Sequence, residues 1–286
     1  MNVSLTLKTS FEEPEIREIA RLEHLCNTAD QIEIKAGTDS LASRPTDGIW
    51  DLVCHHEEQL VGYLCFYTFD GHTAEVISMV HPDFRRQGIF RALLSRAEDE
   101  MKQRGIQEIL FVVPARSPSG LQLMQHLGST FHEAEYGMQW TRDPQSFHRN
   151  DLLHLHVAST PEDLNFLAAC LAQSFGDSEE STRNVLQRTS TPDRTSYIAT
   201  LQGKPFGMIR VQRERDGHAA IFGFAVLPEF QGHGYGRQIL TDIVNLLRSE
   251  DRAHIELDVV TENERGLHLY QSCGFDIATE YRYYRA

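Results

Sequence analysis

The chain repeats itself once, and that repeat constrains its folding more than any other feature. Asp70-Gly71-His72-Thr73-Ala74 returns as Asp216-Gly217-His218-Ala219-Ala220, an offset of 146 (216 − 70). The same offset carries Val80, Pro82, Phe84, Gly88, Arg91 and Leu94 onto Val226, Pro228, Phe230, Gly234, Arg237 and Leu240, with no gap. It also carries Ile109, Gly120, Leu121 and Gly128 onto Ile255, Gly266, Leu267 and Gly274. Solenoids repeat every ~20–50 residues, so a period of half the chain means two homologous domains instead. We expect an N-terminal domain over residues 1–145 and a C-terminal domain over 150–286. The linker at 141–150 contains Asp143-Pro144 and no long Gly/Ser tract.

Each half has the same order of patterns. In the second, an alternating strand at 152–158 precedes a helix capped by Thr160, with Pro161, Glu162 and Asp163 in its first turn. Strands at 196–201, 205–212 and 218–227 follow. Next come a helix at 234–248, a strand at 255–261, a helix at 264–272 and final strands. In the first half, Ser10-x-x-Glu13 reads as the capping box of the opening helix.

Composition narrows the function. The 286 residues carry a net charge of −14, which disfavours a nucleic-acid partner, since wrapping phosphate needs a positive footprint. The same field weakly favours a cationic acceptor. The longest apolar runs, such as residues 109–114, fall far short of the roughly 18–20 residues that span a bilayer, so no membrane partner is expected. The N-terminus lacks the apolar core of a signal peptide. Cys26, Cys54, Cys65, Cys170 and Cys273 are odd in number and scattered, as expected of reduced thiols in a cytoplasmic protein. Of 14 histidines, the groups His55-His56 and His154-x-His156 lack a matching ligand cluster, so no metal is expected. No Gly-x-Ser-x-Gly supports a serine hydrolase.

The most informative stretch runs from Phe224 to Arg237. A strand leads into Gln231-Gly232-His233-Gly234-Tyr235-Gly236, which opens a helix. Helix-terminal N–H groups lack internal partners and the helix end carries partial positive charge, so such a turn suits a pyrophosphate. A dinucleotide-type Gly-x-Gly-x-x-Gly fails, because counting from Gly232 its last position is Arg237. A nucleotide P-loop fails for want of Gly-Lys-Ser/Thr.

Here the chain resembles the GCN5-related N-acetyltransferase superfamily. Gln231-x-x-Gly234-x-Gly236 matches its Gln/Arg-x-x-Gly-x-Gly/Ala hallmark, and Val226-Leu227-Pro228 matches the preceding Val-x-Pro. Asn263, Tyr270, Gly274 and Phe275 match a second hallmark after the fifth strand. The resemblance covers essentially the whole chain as two tandem domains. It implies an α/β fold of the α+β kind, each domain a mixed, mostly antiparallel central sheet flanked by helices. It also implies acetyl-CoA as acyl donor and a small-molecule or peptide amine as acceptor. By the same resemblance, the backbone of Phe224, Ala225 and Val226 pairs with the pantetheine arm. Gln231, Gly232, His233, Gly234, Tyr235, Gly236 and Arg237 hold the pyrophosphate, and Asn263 bonds near the pantetheine. Tyr270 protonates the departing thiolate, a role open to a phenol that is neutral at pH 7. Asp258 ranks first as general base and Glu256, on the same strand face, second.

The copies differ chemically. The first keeps a weaker second site of Val80, Arg85, Arg86, Gln87, Gly88, Phe90 and Arg91, with Phe90 where the hallmark has Gly or Ala. At the offset of 146, Tyr270, Asn263 and Asp258 become Met124, Ser117 and Val112, and Met and Val cannot move a proton. Glu75 is the one polar residue on its fourth strand able to act as a base, and it reads first as a rim or interface charge. The expectation is therefore a catalytic C-terminal domain that moves an acetyl group to a primary amine by direct attack. The N-terminal domain then supports it or binds CoA without turnover. The competing reading is an acyl-CoA-binding regulatory or assembly module. A longer acyl donor and the oligomeric state stay open.

Overall fold

The computed structural model describes residues 3–38, 41, 48–68, 70–144, 146–176, 178–214 and 217–286. It divides into two compact units: Met1–Glu135 with Thr279–Ala286, and Tyr136–Ala278.

The first unit begins with β1 (Ser4–Lys8) and α1 (Glu13–Asp30), followed by the antiparallel strands β2 (Ile49–His56), β3 (Gln59–Tyr67) and β4 (Thr73–Val80). It continues with α2 (Ile89–Gln103), β5 (Glu108–Pro114), α3 (Pro118–Leu127) and the start of β6 (Thr130–Trp140). α1 is capped two residues later than its sequence suggests. Glu12 is the N-cap, and its backbone N–H donates to the Glu15 carboxylate at 2.9 Å.

The second unit contains β7 (Leu153–Val157), α4 (Pro161–Phe175), α5 (Glu179–Arg188), β8 (Arg194–Leu201), β9 (Lys204–Arg213) and β10 (His218–Val226). α6 (Tyr235–Ser249), β11 (His254–Val260), α7 (Glu264–Ser272) and the start of β12 (Phe275–Arg285) complete it. α4 starts where the sequence places it. Thr160 Oγ1 accepts from the Asp163 N–H at 3.1 Å, and the Asp163 carboxylate accepts from the Ser159 and Thr160 N–H groups.

Within each unit the strands are mixed and mostly antiparallel, with helices on both faces, as expected; the expectation of a separate sheet for each half is not borne out. In the second unit, Ile239, Ile243 and Leu247 of α6 pack on Ile255, Leu257 and Val259 of β11. Leu167 and Leu171 of α4 and Leu186 of α5 cover the other face at Ile198, Met208 and Ala225. In the first unit, Leu93, Ala97 and Met101 of α2 line one core and Ile19, Leu22 and Cys26 of α1 the other. All five cysteines are buried and unpaired.

Two expectations are corrected. Each sheet was expected to use only the strands of its own half. Instead, the strand order in the first unit is β1-β2-β3-β4-β5-β12, and in the second β6-β11-β10-β9-β8-β7. The end of the chain pairs antiparallel with β5, Tyr281 with Pro114 through Arg285 with Leu110, and Tyr281 and Tyr283 are buried beside α1. Conversely, Met138 of β6 is fully buried in the second unit's core. The residues expected to form a linker, 141–150, follow β6 within the second unit.

The repeat is also not free of gaps. Cys54 pairs with Gly62 as Ala199 pairs with Gly207, an offset of 145 (207 − 62). Thr73 pairs with Glu108 as His218 pairs with His254, so β10 is still one residue out of step with β11. The extra residue enters at a β-bulge between Phe222 and Ala225, where Gly223 has φ +54°. From there on the offset is 146. The matching run at Asp70–Ala74 therefore pairs residues that are not structural equivalents. The His72 carbonyl accepts from the Glu108 N–H just as the Gly217 carbonyl accepts from the His254 N–H. Asp216 lies outside the described residues.

Gly274 makes the turn from α7 into β12 at φ +95°. Its carbonyl accepts from the Thr141 N–H at 2.9 Å, and a Cβ there would run into the Arg142 carbonyl. Gly274→Ala is expected to lower the stability of the second unit by about 2 kcal/mol or more. Urea unfolding monitored by circular dichroism measures this, and an unchanged midpoint contradicts it.

Candidate functional site

β10 and β11 run parallel for only four pairs, His218–Ile221 with His254–Leu257. Beyond them β10 keeps β9 as its neighbour, with Ala225 opposite Met208 and Val226 opposite Gly207. The edge of Phe224, Ala225 and Val226 that would face β11 thus carries backbone groups with no ladder partner, available to an extended amide-bearing chain. Within the bulge, Gly223 and Phe224 have no register partner on β9 either. A glycine inside an apolar strand was the sequence signal for this bulge, and the sequence analysis passed over it.

Just beyond the strand, Pro228–Phe230 form one 3-10 turn. The Gln231 side chain then donates from Nε2 to the Val226 carbonyl at 2.8 Å, which fixes the loop to the strand. Gly232 and Gly234 adopt φ +78° and +81°, and Gly234 is the N-cap of α6. His233 stacks on Tyr235 with ring centroids 5.5 Å apart. The N–H groups at the start of α6 point out of the helix end and suit an anion. Gly236 serves another purpose, since a Cβ there would lie 3.3 Å from Leu269 Cδ2. It lets α6 and α7 pack closely. Arg237 joins the same two helices, its Nε donating to Ser272 Oγ at 3.1 Å.

Asn263 is the N-cap of α7, and its Oδ1 accepts from the Gly266 N–H at 2.9 Å. Its amide nitrogen is left for other partners. Tyr270, also on α7, is half-buried with its ring 6.5 Å from Phe224 and 6.4 Å from Phe275. Burial, with a smaller contribution from the nearby Cys273 thiol, pushes its hydroxyl up to about 12. The phenol is therefore a neutral proton donor at any physiological pH.

Ile255, Leu257 and Val259 face the α6 core, so Glu256 and Asp258 project from the opposite face of β11. Asp258 is exposed and Glu256 half-exposed. Tyr270 and Asp258 therefore approach the gap between β10 and β11 from opposite faces of the sheet.

The first unit preserves the loop and differs in the side chains around it. β4 and β5 also stop pairing after four residues, Thr73–Val76 with Glu108–Phe111. Arg85 donates from Nε to the Val80 carbonyl at 3.2 Å, as Gln231 does to Val226. Arg86 stands at φ +64° where the second unit has Gly232, and Gly88 caps α2 at φ +87°. Arg85 was expected to lend its charge to phosphates, but its Nη1 is paired with Asp30 at 2.8 Å. Gln87 donates to the Asp83 carbonyl, and Phe90 packs near Phe111. Ser117 caps α3 as Asn263 caps α7, and Met124 is buried at the place of Tyr270. Glu75 accepts from the Tyr67 hydroxyl, and burial raises its pKa. In the structural register it matches Ala220. β4 has no bulge.

Among the described residues no group of His, Cys, Asp or Glu side chains could hold a metal, and no helix is long and apolar enough to cross a membrane.

A profile of the Acetyltransferase (GNAT) family matches residues 13–128 and 152–275. A [ribosomal protein bS18]-alanine N-acetyltransferase of Salmonella typhimurium is 36% identical over 66 residues, 23% of this chain and 45% of that protein. The N-alpha-acetyltransferase RimI of Mycobacterium tuberculosis is 27% identical over 133 residues, 45% of this chain and 82% of that protein. The chain thus spans about half the length of the first of these relatives. Among solved structures, a tandem GNAT protein from the clavulanic acid biosynthesis pathway superposes with TM-score 0.77 at 19% identity, covering 100% of this chain and 98% of that one. A GCN5-related N-acetyltransferase from Sphaerobacter thermophilus gives 0.76 at 18% identity, covering 99% and 95%. At these identities the likeness concerns the fold.

Asn263→Ala is expected to cost about 1 kcal/mol of stability through loss of the α7 cap, while Asn263→Ser, the side chain that caps α3, costs only a few tenths. Denaturant midpoints of the two variants measure this. Equal losses contradict the capping role.

Proposed function

We propose, since the chain belongs to the GNAT acetyltransferase family, that its second unit transfers an acetyl group from acetyl-CoA to a primary amine of a small molecule or peptide. The observation that carries this reading is the parting of β10 from β11 directly before a left-handed glycine turn that opens a helix. An acyl-CoA thioester has a long amide-bearing arm and a pyrophosphate. The residues fit both ends: the open edge of Phe224–Val226 suits the arm, and the N-terminus of α6 with Gly232 and Gly234 suits the phosphates. The donor supplies an activated acetyl carbonyl, and this chain's residues do the rest.

The amine nitrogen attacks that carbonyl carbon, a C–N bond forms and the C–S bond breaks. Negative charge growing on the carbonyl oxygen needs donors already in place, and the bulge, where Gly223 and Phe224 have no register partner on β9, is the segment proposed to supply backbone N–H groups. Asp258, with Glu256 as second candidate, takes the proton that the amine loses, directly or through water. Tyr270 gives its hydroxyl proton to the departing sulfur and regains one from water. The products are an amide and the free thiol. In the first unit Val112 and Met124 replace the two proton carriers, so that unit is proposed to support the fold or hold a CoA-like molecule without turnover.

Tyr270→Phe is expected to lower kcat by about tenfold or more while leaving the Kd for CoA nearly unchanged. The raised pKa sets the pH window. The protonated phenol persists up to its own pKa near 12, so Tyr270 contributes no loss of rate below a pH of about 10. Thiol release across an amine panel and pH series measures both. Unaltered turnover in the variant at every pH removes Tyr270 from this role.

A further inference from the structure

The face of the second unit's sheet that carries Asp258 also carries two arginines, and among the described residues neither forms an ion pair. Ile209 and Val211 of β9 and Ile221 of β10 point into the α6 core, so Arg210 and Phe222 project from the other face, directly opposite each other in register. Ser196 stands across from Arg210 on β8, and Arg194 lies on the same face two residues earlier. Both guanidinium groups lie against the Phe222 ring, Arg210 at 4.8 Å and Arg194 at 5.2 Å from its centroid. The Arg210 stem packs on Gly223, so the pair adjoins the bulge.

Arg210 is 6% exposed. Its Nε donates to Ser196 Oγ at 3.3 Å and its Nη2 to Thr189 Oγ1 at 3.1 Å. Arg194 donates to the Gln212 side chain and to the Thr189 carbonyl, at the end of α5. Every one of these acceptors is neutral. Among the described residues neither arginine has a carboxylate within ion-pair distance, and Glu214 acts on Arg194 only at longer range. Nη1 of Arg210 makes no hydrogen bond and is not sealed from solvent. Burial, together with the neighbouring charge of Arg194, lowers Arg210 to about 10. A buried cation without a counter-ion is costly, and strongly perturbed charges cluster at functional sites. Arginine presents a planar fork that matches a carboxylate.

We propose that Arg210 and Arg194, bracketing Phe222 beside the Gly223 bulge, form a carboxylate-binding subsite, and that the acyl acceptor is a small amine that also carries a carboxylate, as an amino acid does. Neighbouring strands lie about 4.8 Å apart, so a carboxylate held by Arg194 of β8 and Arg210 of β9 leaves an amine a few bonds away near β10, on the face of the sheet that bears Asp258. The overall charge of −14 argued for a cationic acceptor, but local charge at the site outweighs a screened long-range field. The assignment deepens the acetyl-transfer reading and rests on it.

The test uses the full chain, acetyl-CoA and matched acceptors: an amino acid, its carboxamide and the corresponding amine without the carboxyl group. The wild type is expected to show kcat/KM for the acid about tenfold or more above both others, carried mainly by KM. Arg210→Gln and the less buried Arg194→Gln are each expected to reduce that ratio toward one. CoA affinity serves as the check that each variant is folded, and Arg210→Lys is expected to retain part of the preference. A ratio near one in the wild type, or a ratio unchanged in both Gln variants, overturns the subsite. If no amine is turned over, the acetyl-transfer reading fails separately, and the subsite is then decided by calorimetric binding of an N-acetyl amino acid against its N-acetyl carboxamide. Selective binding of the acid, lost in the Gln variants, supports it. Equal or absent binding overturns it.

Discussion

A parallel strand pair that stops after four residues is the constraint on which the rest of this structure depends. Once β10 leaves β11 at Ile221 and Leu257, three consequences follow without further design. Backbone groups of Phe224–Val226 lose their ladder partner. The chain, no longer held in the sheet, turns through Gly232 and Gly234 into a helix whose N-terminus stands at the mouth of the gap. Side chains from both faces of the sheet gain access to the same opening, Tyr270 from the α7 face and Asp258 from the other.

The parting belongs to the scaffold, because β4 and β5 part at the corresponding place. The second unit differs in its bulge. One additional residue at Gly223 turns the following side chains over, so that Ala225 enters the core under α4 while Phe224 approaches Tyr270. It also leaves Gly223 and Phe224 without a register partner on β9. The first unit has an uninterrupted β4, a methionine for the tyrosine and a valine for the aspartate. Its loop keeps the left-handed residues Arg86 and Gly88, and its Arg85 pairs with Asp30. The two copies share the loop's shape and differ in the side chains around it.

How much of this the sequence disclosed varies with the kind of interaction. Local signals read well: the Thr160 cap, the left-handed glycines before α6 and the alternation that sends Glu256 and Asp258 to one face. Long-range pairing did not. Nothing local in Tyr281 or Tyr283 shows that the last strand is buried beside α1, because a strand's pattern records which face is apolar and not which neighbour pairs with it. The one-residue slip was hidden by chance identities at Asp70–Ala74, although Gly223 in an apolar strand marked its position. Arg194 and Arg210 look like ordinary strand cations until the register sets them around Phe222.

The central claim is that acyl transfer belongs to the second unit alone, on a scaffold that both units share. Gly234→Asp and Gly88→Asp test it most directly. Aspartate tolerates the left-handed backbone better than most residues, neither site has an atom within 4 Å of a new Cβ, and each change sets a carboxylate at the helix N-terminus proposed to hold the phosphates. The measurement is the thiol-release rate of each variant with acetyl-CoA and the best amine. The account predicts that Gly234→Asp loses turnover and Gly88→Asp keeps most of it. Loss in Gly88→Asp with activity retained in Gly234→Asp would contradict it.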